Sequence, residues 1–246
     1  IRSDFGKIIL DRDISVSSGG ANNTVIQSNG TGTSVELNAG RTITLGTGTT
    51  AFTGMLASNS GALANRGTIT VNRNLSQGIA ILASSSGTNS GTITVGGNTA
   101  TGVYNAGTFN MTGGTLSTSG AKSISLYAIG TGTTTNITGG KVSAGSEAVA
   151  LYADNSTINI SNPAVLEAKD GGLMFYNYAS PALTNPSGKF NITGNVEGNV
   201  LTGGTAFYLK GAAADTATFL NNMFNDGTPT STGKLQILLG DGASLF

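Results

Sequence analysis

Asn65-Arg-Gly-Thr-Ile-Thr-Val71, Asn89-Ser-Gly-Thr-Ile-Thr-Val95 and Asn105-Ala-Gly-Thr-Phe-Asn-Met111 are three copies of one pattern, Asn-x-Gly-Thr-[Ile/Phe]-x-[Val/Met]. Inside it, Thr68-Ile-Thr-Val71 and Thr92-Ile-Thr-Val95 alternate with a period of two, which puts Ile and Val on one face of a short strand and Thr on the other. The Asn-x-Gly ahead of each strand supplies residues that tolerate positive φ, so it reads as a turn. A short strand entered through a tight turn, and repeated, is the unit from which the rest of the chain can be read.

A second pattern, two alternating apolar positions followed by a large residue, occurs as Ile79-Ala-Ile-Leu82-Ala83, Ile124-Ser-Leu-Tyr127-Ala128 and Val149-Ala-Leu-Tyr152-Ala153. Weaker copies end on Leu56, Tyr104, Tyr176 and Tyr208. Counted on Leu56, Leu82, Tyr104, Tyr127, Tyr152, Tyr176 and Tyr208, the intervals are 26, 22, 23, 25, 24 and 32 residues, a period near 24. A third pattern, Asn110-Met-Thr-Gly-Gly-Thr-Leu116, returns as Asn136-Ile-Thr-Gly-Gly-Lys-Val142 and more loosely as Asn159-Ile-Ser-Asn-Pro-Ala-Val165. Three short strands per period make the coil of a solenoid, and one coil cannot bury its apolar face alone. The sequence therefore predicts an all-β parallel β-helix over residues 1–246, with coils near 24 residues, about ten of them, and a rod on the order of 50 Å long at about 4.8 Å per coil. Asn65, Asn89 and Asn105 are expected at equivalent turns as a ladder of side-chain amides.

Residues 203–246 depart from the repeat and read as an atypical final module. Phe219, Leu220, Met223 and Phe224 share one helical face behind a candidate N-cap at Asp215, predicting a short helix near 215–224 before a strand at Lys234 to Leu238.

Composition narrows function. The chain has 38 Gly, only 4 Pro and 10% charged residues, yet 38% hydrophobic residues, enough to fill a continuous core. Its 12 Lys and Arg balance 12 Asp and Glu, without the basic patch that nucleic-acid binding needs. Cys and His are both absent, which removes thiol nucleophiles, histidine bases and the soft metal ligands. No cofactor and no metal site are expected. No apolar run approaches a membrane span, and the chain reads as an excised or processed segment.

The combination of Asn-x-Gly-Thr-Ile-Thr-Val, Gly-Ile-x-x-Leu/Tyr-Ala and Ile-Thr-Gly-Gly resembles the passengers of type V autotransporters, especially the large fusobacterial outer-membrane adhesins, over essentially the whole chain. The stretches Gly203 to Tyr208, Phe219 to Phe224 and Asp241 to Phe246 resemble a module that recurs in those adhesins. The resemblance implies a right-handed β-helix that is one segment of a longer passenger, exported through an outer-membrane barrel absent from this sequence. It implies display at the cell surface and binding to a protein or glycan receptor on host cells or other microbes.

Candidate sites follow from the repeat. Tyr104, Tyr127, Tyr152, Tyr176 and Tyr208 fall in one column, which offers either an aromatic face to sugar rings or a ladder that braces neighbouring coils. The long interval after Tyr176 predicts a loop over 176–187, with Tyr176, Tyr178 and Asn185 as candidate binding residues because loops on rigid scaffolds carry recognition. Lys122, Glu147 and Asp170 precede three of the tyrosines by five or six residues. Stacked, they read as a solvated ion-pair ladder, or alternatively as a glycosidase pair or calcium site. Asp11-Arg12-Asp13 reads as a polar turn. The expected function is a non-enzymatic adhesin rod; the alternatives are a carbohydrate-active β-helix enzyme and a pure spacer stalk.

Overall fold

The computed structural model describes all residues except 18, 19, 21, 22, 180–187, 212–219, 221, 222 and 225–233. The chain winds as a parallel β-helix with three faces. Face A is a nine-stranded sheet of β1 (Arg2–Ser3), β4 (Asn23–Asn29), β7 (Phe52–Ser58), β10 (Gln77–Ile81), β13 (Thr101–Asn105), β15 (Ile124–Ile129), β17 (Val149–Asp154), β20 (Leu173–Ala179) and β23 (Thr205–Gly211), in that order. Face B1 carries β2 (Lys7–Leu10), β5 (Ser34–Leu37), β8 (Ala62–Asn65), β11 (Ser86–Asn89), β18 (Ser156–Ser161) and β21 (Gly188–Thr193). Face B2 carries β3 (Ile14–Val16), β6 (Thr42–Leu45), β9 (Thr68–Val71), β12 (Thr92–Val95), β19 (Val165–Ala168), β22 (Asn195–Val200) and β24 (Lys234–Leu239). Two longer strands, β14 (Thr108–Thr118) and β16 (Thr134–Ala144), cross the corner between B1 and B2 and join them into one 15-stranded sheet. Face A thus has nine rungs, against the ten coils expected.

The inward residues stack in columns. Met55, Ile79, Val103, Leu126, Leu151, Phe175 and Phe207 follow one another in register beneath face A. Ile43, Ile69, Ile93, Leu116, Val142 and Leu166 do the same beneath B2, and all six are fully buried. Each such side chain contributes roughly 1.5–3 kcal/mol by leaving water, and the parallel register requires no alternation in size from coil to coil. Toward the C-terminal end the core turns aromatic: Phe175 packs on Phe190, Phe207 and Phe224 with ring centres 4.9, 5.4 and 5.6 Å apart. Residues 220, 223 and 224 are helical, and Leu220, Met223 and Phe224 pack on this core as their spacing predicts; Asp215 and Phe219 lie outside the described residues.

Register corrects the sequence reading in three places. Ala80, not Leu82, stands between Leu56 and Tyr104, because Ile79 and Ile81 both point inward and leave Ala80 outside. With Ala80 in place the intervals become 24, 24, 23, 25, 24 and 32, more even than those counted on size alone. Asn105 does not share the turn of Asn65 and Asn89. It ends a face A strand, in register with Ile81 and Ala128, whereas Asn65 and Asn89 end B1 strands. In the third pattern Leu166, not Val165, takes the inward place of Val142, since the Asn162-Pro163-Ala164 corner adds one residue.

The glycine of Asn-x-Gly has the same use at both corners. A Cβ on Gly91 would stand 2.1 Å from the Gly67 carbonyl oxygen, and one on Gly107 2.4 Å from that of Ser85. The corner of each coil lies flat on the backbone of the coil before it. Gly91→Ala is therefore expected to destabilise the chain by about 1–3 kcal/mol through forced separation of two coils. Gly132→Ala, at an exposed site where a Cβ meets nothing within 4 Å, is expected to be neutral or stabilising by up to about 1 kcal/mol; paired denaturant titrations would check the contrast.

Candidate functional site

The outward column of face A runs Leu56, Ala80, Tyr104, Tyr127, Tyr152, Tyr176, Tyr208. The five tyrosines touch in sequence. Tyr104 meets Tyr127 edge-on at 5.8 Å, Tyr127 stacks on Tyr152 at 4.8 Å, Tyr152 meets Tyr176 edge-on at 4.8 Å, and Tyr176 stacks on Tyr208 at 5.4 Å. Ring faces are spent largely on neighbouring rings, so the column presents half-buried edges and phenols. This geometry braces coils, and it also leaves a continuous aromatic ridge. The Tyr127 hydroxyl donates to Asp154 Oδ2 at 3.0 Å. Burial, and after it this bond to a carboxylate, holds the phenol above the ordinary tyrosine range.

The flank of the ridge changes along the rod. Beside it, Thr53, Gln77 and Thr101 are followed in register by Ile124, Val149 and Leu173, all half-buried on the outer surface. From β15 to β20 the outer face therefore carries two parallel apolar columns, one aliphatic and one aromatic.

Strand β20 continues through Ala179, with Tyr176 opposite Tyr208 and Tyr178 opposite Lys210. Tyr176 and Tyr178 belong to the sheet and not to a loop beginning at residue 176. The rest of the predicted loop, residues 180–187 with Asn185, lies outside the described residues.

Lys122, Glu147 and Asp170 form no ion pair with one another. Lys122 and Glu147 stand two residues before their face A strands, and the residue there in the next coil is Gly171, with Asp170 displaced by one. What unites this turn is backbone conformation: Leu75, Thr99, Lys122, Glu147, Gly171, Gly203 and Gly242 all have φ between 52° and 87°. The side chains there are exposed passengers of a left-handed turn. Among the described residues no group of three or more His, Cys, Asp or Glu is placed to hold a metal ion.

The ion pairs lie elsewhere. Glu36, 8% exposed on B1, receives Lys7 Nζ at 2.6 Å and Arg66 Nε at 3.0 Å from the coils on either side. Lys141 and Glu167 pair at 2.5 Å on B2. Asp11 pairs with Arg41 at 3.1 Å, and Asp13 Oδ1 accepts the Thr42 amide, which fits the predicted polar turn.

Among the described residues asparagine amides bridge neighbouring coils at three places, one of them Asn59 Nδ2 donating to Asn29 Oδ1 at 2.8 Å. Asn65 Nδ2 donates to Asn89 Oδ1 at 2.7 Å, fully buried, between Leu37 above and Met111 below, and Asn65 Oδ1 has no partner. Asn105 instead closes its own corner, accepting the Gly107 amide and donating to Thr134 and Thr135. The longer ladder joins Asn110, Asn136, Asn159 and Asn191 on the outside of B1, with rungs of 2.8, 2.9 and 3.2 Å. Asn110, Asn136 and Asn159 open the three copies of the third sequence pattern, whereas Asn191 opens none of them.

Two stability predictions follow from this geometry. Asn89→Ala strands the buried Asn65 amide and should cost about 1–3 kcal/mol, whereas the double replacement of Asn65 and Asn89 by Leu, matching Leu37 in the same column, should cost less than the single change; thermal melts of the three chains decide this. Lys7, by its hydrogen bond, and then the charge of Arg66 hold the Glu36 carboxyl below its ordinary range. A depressed carboxylate stabilises above the unfolded pKa, about 4.3 for Glu, and the benefit disappears as pH falls through the lower folded value. Wild type should exceed Glu36→Gln in stability at neutral pH, and the difference should shrink as pH falls below the unfolded value of about 4.3 toward the lower folded one, as urea midpoints against pH would show.

Comparison with protein-family models, with curated proteins and with solved structures finds no match to this chain.

Proposed function

We propose that the chain is a segment of a non-enzymatic adhesin passenger, displayed outside a bacterial cell through an outer-membrane barrel in the longer protein. The rod holds a binding surface away from the membrane and offers it to a protein or glycan receptor on host cells or other microbes. The observation that carries this reading is the paired strip on face A, in which Ile124, Val149 and Leu173 run beside Tyr127, Tyr152 and Tyr176 on the outside of a sheet whose core is complete without them. Surfaces that are depleted in charge and rich in tyrosine are what protein interfaces present at their centres.

A carbohydrate-active enzyme on the same scaffold would need carboxylates gathered at one groove, since fold alone confers no activity. Of the acidic residues near the tyrosine column, Asp154 is engaged by the Tyr127 hydroxyl, and Glu147 and Asp170 sit out of register at exposed turns. Turnover of polygalacturonate or a similar polymer that is abolished by changing Glu147 and Asp170 would sink the adhesin reading.

Purified chain is expected to bind intact cells or an arrayed receptor, and replacing Ile124, Val149 and Leu173 by Thr, the residue at positions 53 and 101 of this column, should reduce binding about tenfold or more, equivalent to about 1.4 kcal/mol. The same variant should keep the wild-type melting profile, because Thr occupies this column in earlier rungs. Binding that survives the change would place recognition elsewhere. No binding by either chain would favour a spacer stalk.

A further inference from the structure

We propose that a cleft on face B2, remote from the tyrosine ridge, is a subsite for a single neutral sugar ring. It arises from a mismatch between consecutive corners. After β18 the chain turns through Asn162, Pro163 and Ala164, whereas the next coil turns through Gly194 alone. The longer corner projects and the shorter one does not. The step between them is a cleft of about 280 Å³, lined chiefly by Asn162, Pro163, Val165, Asn195, Glu197 and Gln236.

Its chemistry is selective. Asn162, Asn195 and Gln236 are exposed, and within the described residues their amides make no side-chain hydrogen bond to the protein, so three donor and acceptor groups face one small volume. Glu197 is oriented from one side, since Asn199 Nδ2 donates to its Oε1 at 2.6 Å, leaving the other oxygen to accept. Pro163 and Val165 supply an apolar floor. Adjacent hydroxyls that both donate and accept, carried on a ring with an apolar C–H face, match this set. An anionic ligand matches it less well, because among the described residues Glu197 is the only charge in the lining, and Lys141, in register with Val165, Glu197 and Gln236, is held by Glu167. The volume lies just below the range of about 300–1,000 Å³ that takes drug-sized ligands, so one ring is the appropriate size.

This inference does not rest on the adhesin reading, and its test separates the two. Saturation-transfer NMR and calorimetry on the whole chain would be run with glucose, galactose, mannose, glucuronate and calcium chloride. At least one neutral hexose should bind saturably with a Kd on the order of 1 mM, and Glu197→Ala and Gln236→Ala should each weaken it about tenfold. The Ile124, Val149 and Leu173 variant should bind the hexose as wild type does. Both cleft substitutions are at exposed positions, and an unchanged melting temperature would confirm an intact fold. The proposal is overturned if no neutral hexose binds, if binding survives both cleft variants, or if only calcium or glucuronate binds there.

Discussion

Parallel, in-register stacking at about 4.8 Å per rung is the constraint on which everything else depends. It places each side chain directly against its equivalents in the coils before and after. A residue type can therefore form a column only if it tolerates itself as a neighbour. Aliphatic residues do, and fill the inside. Tyrosine does, by alternating stacked and edge-on contacts. Asparagine does, because one amide donates to the next. Charge does not, and the buried carboxylate Glu36 has opposite charges on its two sides.

Corners meet the same constraint with less room. There the backbone of one coil rests on that of the previous coil, and a Cβ is excluded at Gly91, Gly107 and Gly114. The turn that leads into face A has instead kept one conformation while its residues vary. Leu75, Thr99, Lys122 and Glu147 accept a left-handed φ that Gly171 and Gly203 adopt freely. Geometry is inherited coil to coil even where sequence is not. Residue additions are absorbed at corners, as at Asn162 to Ala164, because strands cannot lose register without exposing their inward face.

This explains which features were legible in sequence. Inward alternation is a local signal enforced at every rung, so the strands of the Thr-Ile-Thr-Val copies and the period near 24 could be read directly. Which corner a turn occupies is not a local property. Asn-x-Gly-Thr serves two different corners, its glycine packing on the preceding coil at both while its Asn bonds differently, so the motif alone does not place Asn105. Matching by the largest residue failed at Leu82 for a related reason: side-chain size does not define register, but inward partners such as Ile79 and Ile81 do. The half-buried ladder from Asn110 to Asn191 and the cleft beside Glu197 each join residues of separate coils, so neither is a local property of the sequence.

The outer surface is where the fold makes the weakest demand. Thr53, Gln77 and Thr101 show that polar residues satisfy the flank of face A, and the core column is still aliphatic, with Leu126 and Leu151 following Met55, Ile79 and Val103, where the flank changes to Ile124 and Val149. Placing aliphatic side chains half in water beside a tyrosine ridge gains little within the chain, because their neighbours leave them partly wet. The same area gains more when a second surface covers it, since removing apolar area from water is worth roughly 25 cal/mol per Å². A change in outer character that begins while the core is still aliphatic therefore directs attention to something outside the chain. That is the physical basis for reading face A as a surface made to be covered, and for looking to β15 through β20 as the part of the rod where covering would occur.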